Sequence, residues 1–215
     1  MKATALALVL LIALPTPFFA MSRSVEPDVV LVTGFEPFGR WERNPSGEIA
    51  LALNDTMVGD VRIVGLMLPV TFNTSYQCLR EAVVRYDPAA VIALGLDGAA
   101  RSMEVERLAV NLQRPAWLRF LRINTSGSLF RGTMLPGEAI VAALRDDGIA
   151  ARQSWFAGLY VCNHVFYRLL GDAGQWDIPA GFIHVPPTPS QEPYGMEPGM
   201  MLRGVRAAVN VTMAA

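Results

Sequence analysis

Three apolar runs restrict the fold of this chain more than any other feature: residues 28–35 (DVVLVTGF), 89–96 (AAVIALGL) and 181–185 (GFIHV). Each is nearly continuous rather than alternating, as a strand buried on both faces must be. Each also ends abruptly, the first at Glu36-Pro37-Phe38-Gly39, the second at Asp97-Gly98 and the third at Pro186, Pro187 and Pro189. Helical patterns fill the gaps. Asn44-Pro45-Ser46 offers a cap and a first-turn proline ahead of Ile49, Ala50, Leu51 and Leu53. Residues 61–70 read as a further strand, stopped at Pro69. Ser75 is expected to cap a helix reaching Tyr86, with Cys78, Leu79, Ala82, Val83 and Tyr86 as its apolar stripe. Pro136 opens a helix carrying Ile140, Val141, Ala143 and Leu144, with Gly148 just past its end, and residues 197–213 form a last amphipathic helix. Strands alternating with helices predict an α/β fold, a three-layer α/β/α sandwich around a mostly parallel central sheet. In such sheets ligands bind beyond the carboxyl ends of the strands.

A chain of 215 residues suits one domain of this kind, taken here as residues 27–215. The formal charge of −1 leaves no electrostatic footprint for nucleic acid. Ahead of the domain, Lys2 precedes an apolar run from Ala3 to Leu14, then Pro15, Pro17 and Ala20, which is a signal-peptide pattern. Phe18 departs from it, standing where a small residue is expected. The run is short and proline-broken, so no stable membrane span is expected. Export, to the periplasm in a bacterium, follows if residues 1–26 act as a leader. A true start at Met21 would make the protein cytoplasmic.

The chemistry gathers around Cys162. Residues 155–161 (WFAGLYV) read as a buried strand, and Val165, Phe166, Leu169 and Leu170 recur at helical spacing, so Cys162 falls where a strand hands over to a helix. The free N–H groups and dipole of a helix start favour a thiolate there. The plainer alternative is a buried cysteine acting as a small hydrophobe. A thiol nucleophile needs a base, and there are two histidines. His164 is two residues beyond Cys162 and points to the other side of the helix. His184, near the end of its strand, is the better candidate. Glu106 or Asp97 could orient its imidazole, and spacing does not choose between them. The turn Gly34-Phe35-Glu36-Pro37-Phe38-Gly39 lacks phosphate-loop spacing and carries a carboxylate, while its two phenylalanines suit an apolar pocket for a small neutral group. No Cys/His cluster has zinc-ligand spacing. Residues 103–112 look extended despite an internal Glu-Arg pair, and residues 113–134 read as a long loop or flap.

Taken together, TGFEPFG (33–39), NPS (44–46), LPV-F (68–72), VERLAVN (105–111), LP (135–136), YVCNH-FY (160–167) and GFIHVP-P-Q (181–191) resemble the pyroglutamyl peptidase I family of cysteine exopeptidases. The resemblance covers most of residues 28–191. It implies removal of N-terminal pyroglutamate from a peptide or small acyl-amide substrate, with neither metal nor organic cofactor needed. It carries the nucleophile onto Cys162, the base onto His184 and the third catalytic residue onto Glu106 rather than Asp97. It makes Phe35 and Phe38 walls of the pyroglutamyl pocket, with Tyr160 and Val161 beside them. Several positions depart from the family pattern. The segment after Asn111 is shorter, and the arginine that polarises the scissile carbonyl has only Arg114 as its candidate. GLDGAAR (95–101) lacks a glutamine common in the family, Pro187 stands for a tyrosine, and a leader is atypical. These departures keep two other readings open, a thiol amidase of altered specificity and a catalytically impaired binding homologue. The sequence leaves a homo-oligomer open as well.

Overall fold

A computed structural model describes residues 27–115 and 119–215; the leader pattern lies outside them, as do three residues of the expected flap. In chain order the elements are β1 (Val29–Phe35), α1 (Pro45–Leu53), β2 (Met57–Val58), β3 (Val61–Leu68), α2 (Thr74–Tyr86), β4 (Ala90–Leu96), β5 (Met103–Glu106) and β6 (Leu108–Val110). They continue with β7 (Phe130–Gly132), α3 (Gly137–Asp146), β8 (Ala151–Ser154), α4 (Val161–Trp176), β9 (Ala180–Val185) and α5 (Pro198–Met213). Seven strands form the central sheet in the order β2-β3-β1-β4-β9-β5-β8. β3, β1, β4 and β9 run parallel, whereas β2 pairs antiparallel with β3 and β5 antiparallel with β9. The fold is α/β with a mostly parallel sheet, as the alternating pattern predicts.

The period-two geometry of the strands divides the core into two layers. Val30 and Val32 of β1, Ile92 and Leu94 of β4, and Ile183 and Val185 of β9 pack with α1, α3 and α5 on one side. Leu31, Val91, Ala93 and Phe182 pack with α2 and α4 on the other. His184 therefore faces the α4 side, two residues after Phe182. On β5, Met103 and Val105 belong to the first layer, which turns Glu104 and Glu106 toward α4. The sheet thus sets three buried polar side chains on one face, beneath one helix.

Four local expectations are corrected. The strand before α4 is Ala151–Ser154 and not residues 155–161, of which 155–160 form a loop and Val161 begins α4. β8 is an edge strand paired only with β5, whose register ends at Glu106↔Ser154, so later residues have no ladder to join. Trp155 and Phe156 are correspondingly exposed. Residues 103–112 make two strands, because the chain leaves the main sheet at Arg107 and β6 pairs instead with β7. That places a short strand inside the expected flap. Finally, α2 begins at Thr74 with Asn73 at the cap, and Ser75 sits in the first turn with its hydroxyl donating to Thr71 O. By contrast, Asn44 caps α1 as expected, accepting from Ser46 N–H at 3.1 Å.

Candidate active site

Cys162 is the second residue of α4, a half-buried free thiol at a helix start that no side chain caps. The helical ladder begins with His164 N–H donating to Tyr160 O at 3.1 Å, so the amides before it precede the ladder and point toward the end of the helix. Gly158 turns the chain into this helix with φ +78, a left-handed conformation that a side chain would strain. The sulfur lies over the sheet at Gly95. A Cβ built there would stand 3.0 Å from Cys162 Sγ and 2.7 Å from Phe182 Cζ. Only a glycine lets the Cys162 sulfur and the sheet come this close.

Gly95 pairs in register with His184. His184 Nδ1 is 2.8 Å from Glu106 Oε1, and Cys162 is the other group that acts on its imidazole. With Nδ1 engaged by the carboxylate, Nε2 is left for the sulfur. Both His184 and Glu106 are buried, at 5% and 0% exposure. Burial alone lowers the imidazole, but the hydrogen bonds to Cys162 and Glu106, and their charges, outweigh it and push the group up to about 10. Glu106 makes no other side-chain hydrogen bond among the described residues, and its Oε2 is buried without a partner. Because β5 runs antiparallel to β9, Glu106 reaches His184 from two residues deeper in the sheet rather than from the carboxyl edge, where Asp97 follows β4. Asp97 Oδ1 instead accepts from Ala99 N–H at 2.9 Å.

His164 is indeed held elsewhere. Its Nδ1 meets Gln113 Oε1 at 2.6 Å and its Nε2 accepts from Asn73 N–H at 3.4 Å. Burial, and then the nearby Arg168 charge, lower it to about 4, so it is a neutral structural imidazole. The structure thus brings Cys162, His184 and Glu106 together and leaves His164 outside.

The expected pocket residues divide. Phe35 is almost fully buried and packs on Phe182 at 6.5 Å, which in turn packs edge-on against His184 at 4.9 Å. Its link to the site runs through Phe182. Phe38 is half-buried in the turn after β1, bridged to Trp41. Val161 is buried, whereas Tyr160 is exposed and stands edge-on to Phe72 at 5.2 Å. Arg114 is exposed with its guanidinium over the Phe120 ring, and its N–H donates to Leu159 O at 2.7 Å, tying the flap to the loop before Cys162.

Three contributors lay beyond the reach of sequence reasoning. Phe182 stood in the right strand without a role. Asn163, next to Cys162, clamps β6: its Nδ2 donates to Val110 O and Leu112 O and its Oδ1 accepts from Val110 N–H. Glu104 and Arg152 form an ion pair beside His184. Glu104 left one signal, a second carboxylate in a four-residue strand that already holds Glu106.

Comparison with known proteins places the chain in a family. Residues 28–215 match the model of the pyroglutamyl peptidase family. A pyrrolidone-carboxylate peptidase of Yersinia pestis is 36% identical over 195 residues, covering 86% of this chain and 91% of that protein. Among solved structures, the pyrrolidone carboxyl peptidase from Thermococcus litoralis superimposes with a TM-score of 0.82 at 32% identity, covering 87% of this chain and 94% of that one. Pyroglutamyl peptidase I from Bacillus amyloliquefaciens does so with a TM-score of 0.84 at 31% identity, covering 88% and 96%.

Proposed function

The chain belongs to the pyroglutamyl peptidase family, and on that premise we propose that it removes N-terminal pyroglutamate from peptides using Cys162, His184 and Glu106. One observation carries the assignment of roles: a buried imidazole bonds a carboxylate that makes no other side-chain hydrogen bond among the described residues, and it is in register with the glycine over which the helix-start thiol lies. The Cys162 sulfur attacks the pyroglutamyl carbonyl, and the electrons pass to its oxygen. Amides at the start of α4 hold that oxyanion, each such donor being worth about 3 kcal/mol. His184, as the imidazolium, gives its proton to the departing amine, leaving a thioester on Cys162. It then takes a proton from water, whose attack releases pyroglutamate and restores the thiolate. Glu106 holds the ring with Nε2 toward the sulfur and balances the positive charge.

Phe35 acts behind Phe182 at the pocket wall, with the buried Val161 beside the thiol and Phe38 and Tyr160 nearer the surface. Arg114 serves as the candidate donor on the flap, since its backbone is anchored one residue before Tyr160. On the same reading the Lys2–Ala20 pattern makes this an exported enzyme. A reporter fused to residues 1–26 tests that point, and retention in the cytosol overturns it.

The activity itself is tested with the purified chain on pyroglutamyl-anilide, with acetyl-anilide and prolyl-anilide as controls. Hydrolysis of the first alone, lost in Cys162→Ala and kept in Cys78→Ser, is expected. Preferential turnover of acetyl-anilide would indicate a different thiol amidase. Absence of turnover in a folded chain would indicate a binding homologue.

A further inference from the structure

We propose that Arg152 is a positioning residue for this site: its guanidinium fork holds Glu104, the buried carboxylate directly across the sheet from His184, so that Glu106 alone serves the imidazole. The proposal rests on the Cys162–His184–Glu106 reading. Its basis is the strand register. Glu104 is the in-register partner of His184 on one side and of Arg152 on the other, giving a row of three side chains across β9, β5 and β8. Directly opposed side chains of this kind start with their Cβ atoms about 5 Å apart. Glu104 and Glu106, two residues apart on β5, face the same way, so His184 stands beside two buried carboxylates.

Geometry separates their roles. Glu106 Oε1 takes the imidazole Nδ1. Glu104 Oε1 accepts from both Arg152 Nε at 3.0 Å and Nη2 at 2.7 Å. Glu104 is 3% exposed, while the Arg152 side chain reaches the surface at 59% exposure. The groups that bear on His184 are Cys162 from α4 and Glu106 from β5, with Glu104 in register beside it on β5 and Asp97, just past β4, acting on Glu104. All of them are acids, and Arg152 is the only cation joined to any of them among the described residues. Burial raises the Glu104 carboxyl, Arg152 lowers it, and Asp97 and Glu106 raise it further. Without Arg152, a carboxylate beside the imidazole has no counter-charge. Its field stabilises the imidazolium and opposes thiolate formation.

The test is the pH profile of kcat/KM on pyroglutamyl-anilide for Arg152→Gln and for the double variant Glu104→Gln with Arg152→Gln. In Arg152→Gln the upper limb should move to higher pH by about one unit. In the double variant, which has neither charge, the limb should return to its wild-type position. If Arg152→Gln does not fold, folding of the double variant with wild-type limbs carries the same conclusion. A folded Arg152→Gln with unmoved limbs overturns the proposal, as does a double variant that stays unfolded or keeps the displaced limb. His184→Gln and Cys162→Ala are measured alongside. Activity in either would overturn the triad itself, whereas inactivity in both with unmoved Arg152→Gln limbs overturns only the role of Arg152.

Discussion

Adding one methyl group at Gly95 should disable the site without removing any proposed catalytic group. A Cβ there would stand 2.7 Å and 2.9 Å from two carbons of the Phe182 ring and 3.0 Å from Cys162 Sγ. Comfortable separations are about 3.5–4.0 Å, so ring and sulfur must retreat by about 0.5–1 Å. Neither can do so freely. Phe182 is wedged among Phe35, Phe166 and His184, and Cys162 is fixed by the helix it begins. Overpacking of this kind costs about 1–3 kcal/mol. Moving a reacting atom by about 1 Å costs about 10²-fold in rate. Gly95→Ala should therefore lower kcat on pyroglutamyl-anilide by about two orders of magnitude and stability by about 2 kcal/mol in urea unfolding. Gly174→Ala, in α4 with open space around its Cα, is the control. It should keep wild-type kcat and gain about 0.5–1 kcal/mol. Wild-type kcat in Gly95→Ala would refute the close approach of sulfur and sheet.

Other expectations concern the support of the site. Asn163→Ala removes three buried hydrogen bonds to β6 and Leu112; stability should fall by about 3 kcal/mol, and exchange of the Val110 amide should speed up. Unaltered exchange would show that Asn163 does not hold β6. His164, lowered to about 4 from 6.5, stays neutral where the unfolded chain takes up a proton, so stability should fall on acidification through that window by about 1.4 kcal/mol per pH unit. His164→Gln should flatten this acid branch. His184 runs the other way, because its pKa is raised from 6.5 to about 10. Its contribution is complete below 6.5 and is lost as pH rises toward 10, so His184→Gln should flatten the alkaline branch of urea stability. An alkaline branch identical in wild type and His184→Gln would contradict the charged imidazole.

How much could be read in advance depended on how local the cause was. β1, β4 and β9 were legible because burial on both faces leaves an apolar run with few alternatives. The cap at Asn44 was legible because capping is a matter of neighbouring residues. The loop at 155–160 was not, since its residues have strand composition and only the end of β5 at Glu106 denies them a partner. The split at Arg107 was hidden for a similar reason, because it depends on β7, more than twenty residues later. In the site, geometry on α4 excluded His164 from sequence alone. The choice of Glu106 over Asp97 needed the family resemblance, because the antiparallel placement of β5 is a tertiary fact. The partnership of Glu104 with Arg152 joins strands 48 residues apart and had no local signature beyond a charge inside a strand.

The claim at the centre is that the Cys162 sulfur attacks the pyroglutamyl carbonyl, and the most direct measurement is a map of where a pyroglutamyl electrophile attaches. The chain is treated with a pyroglutamyl chloromethyl ketone, digested and analysed by mass spectrometry, with Cys78 as the internal comparison. Modification should fall on Cys162, leave Cys78 untouched, be prevented by free pyroglutamate, and nearly vanish in His184→Gln. Label on Cys78, or an unlabelled Cys162 in a chain that still hydrolyses pyroglutamyl-anilide, would contradict it.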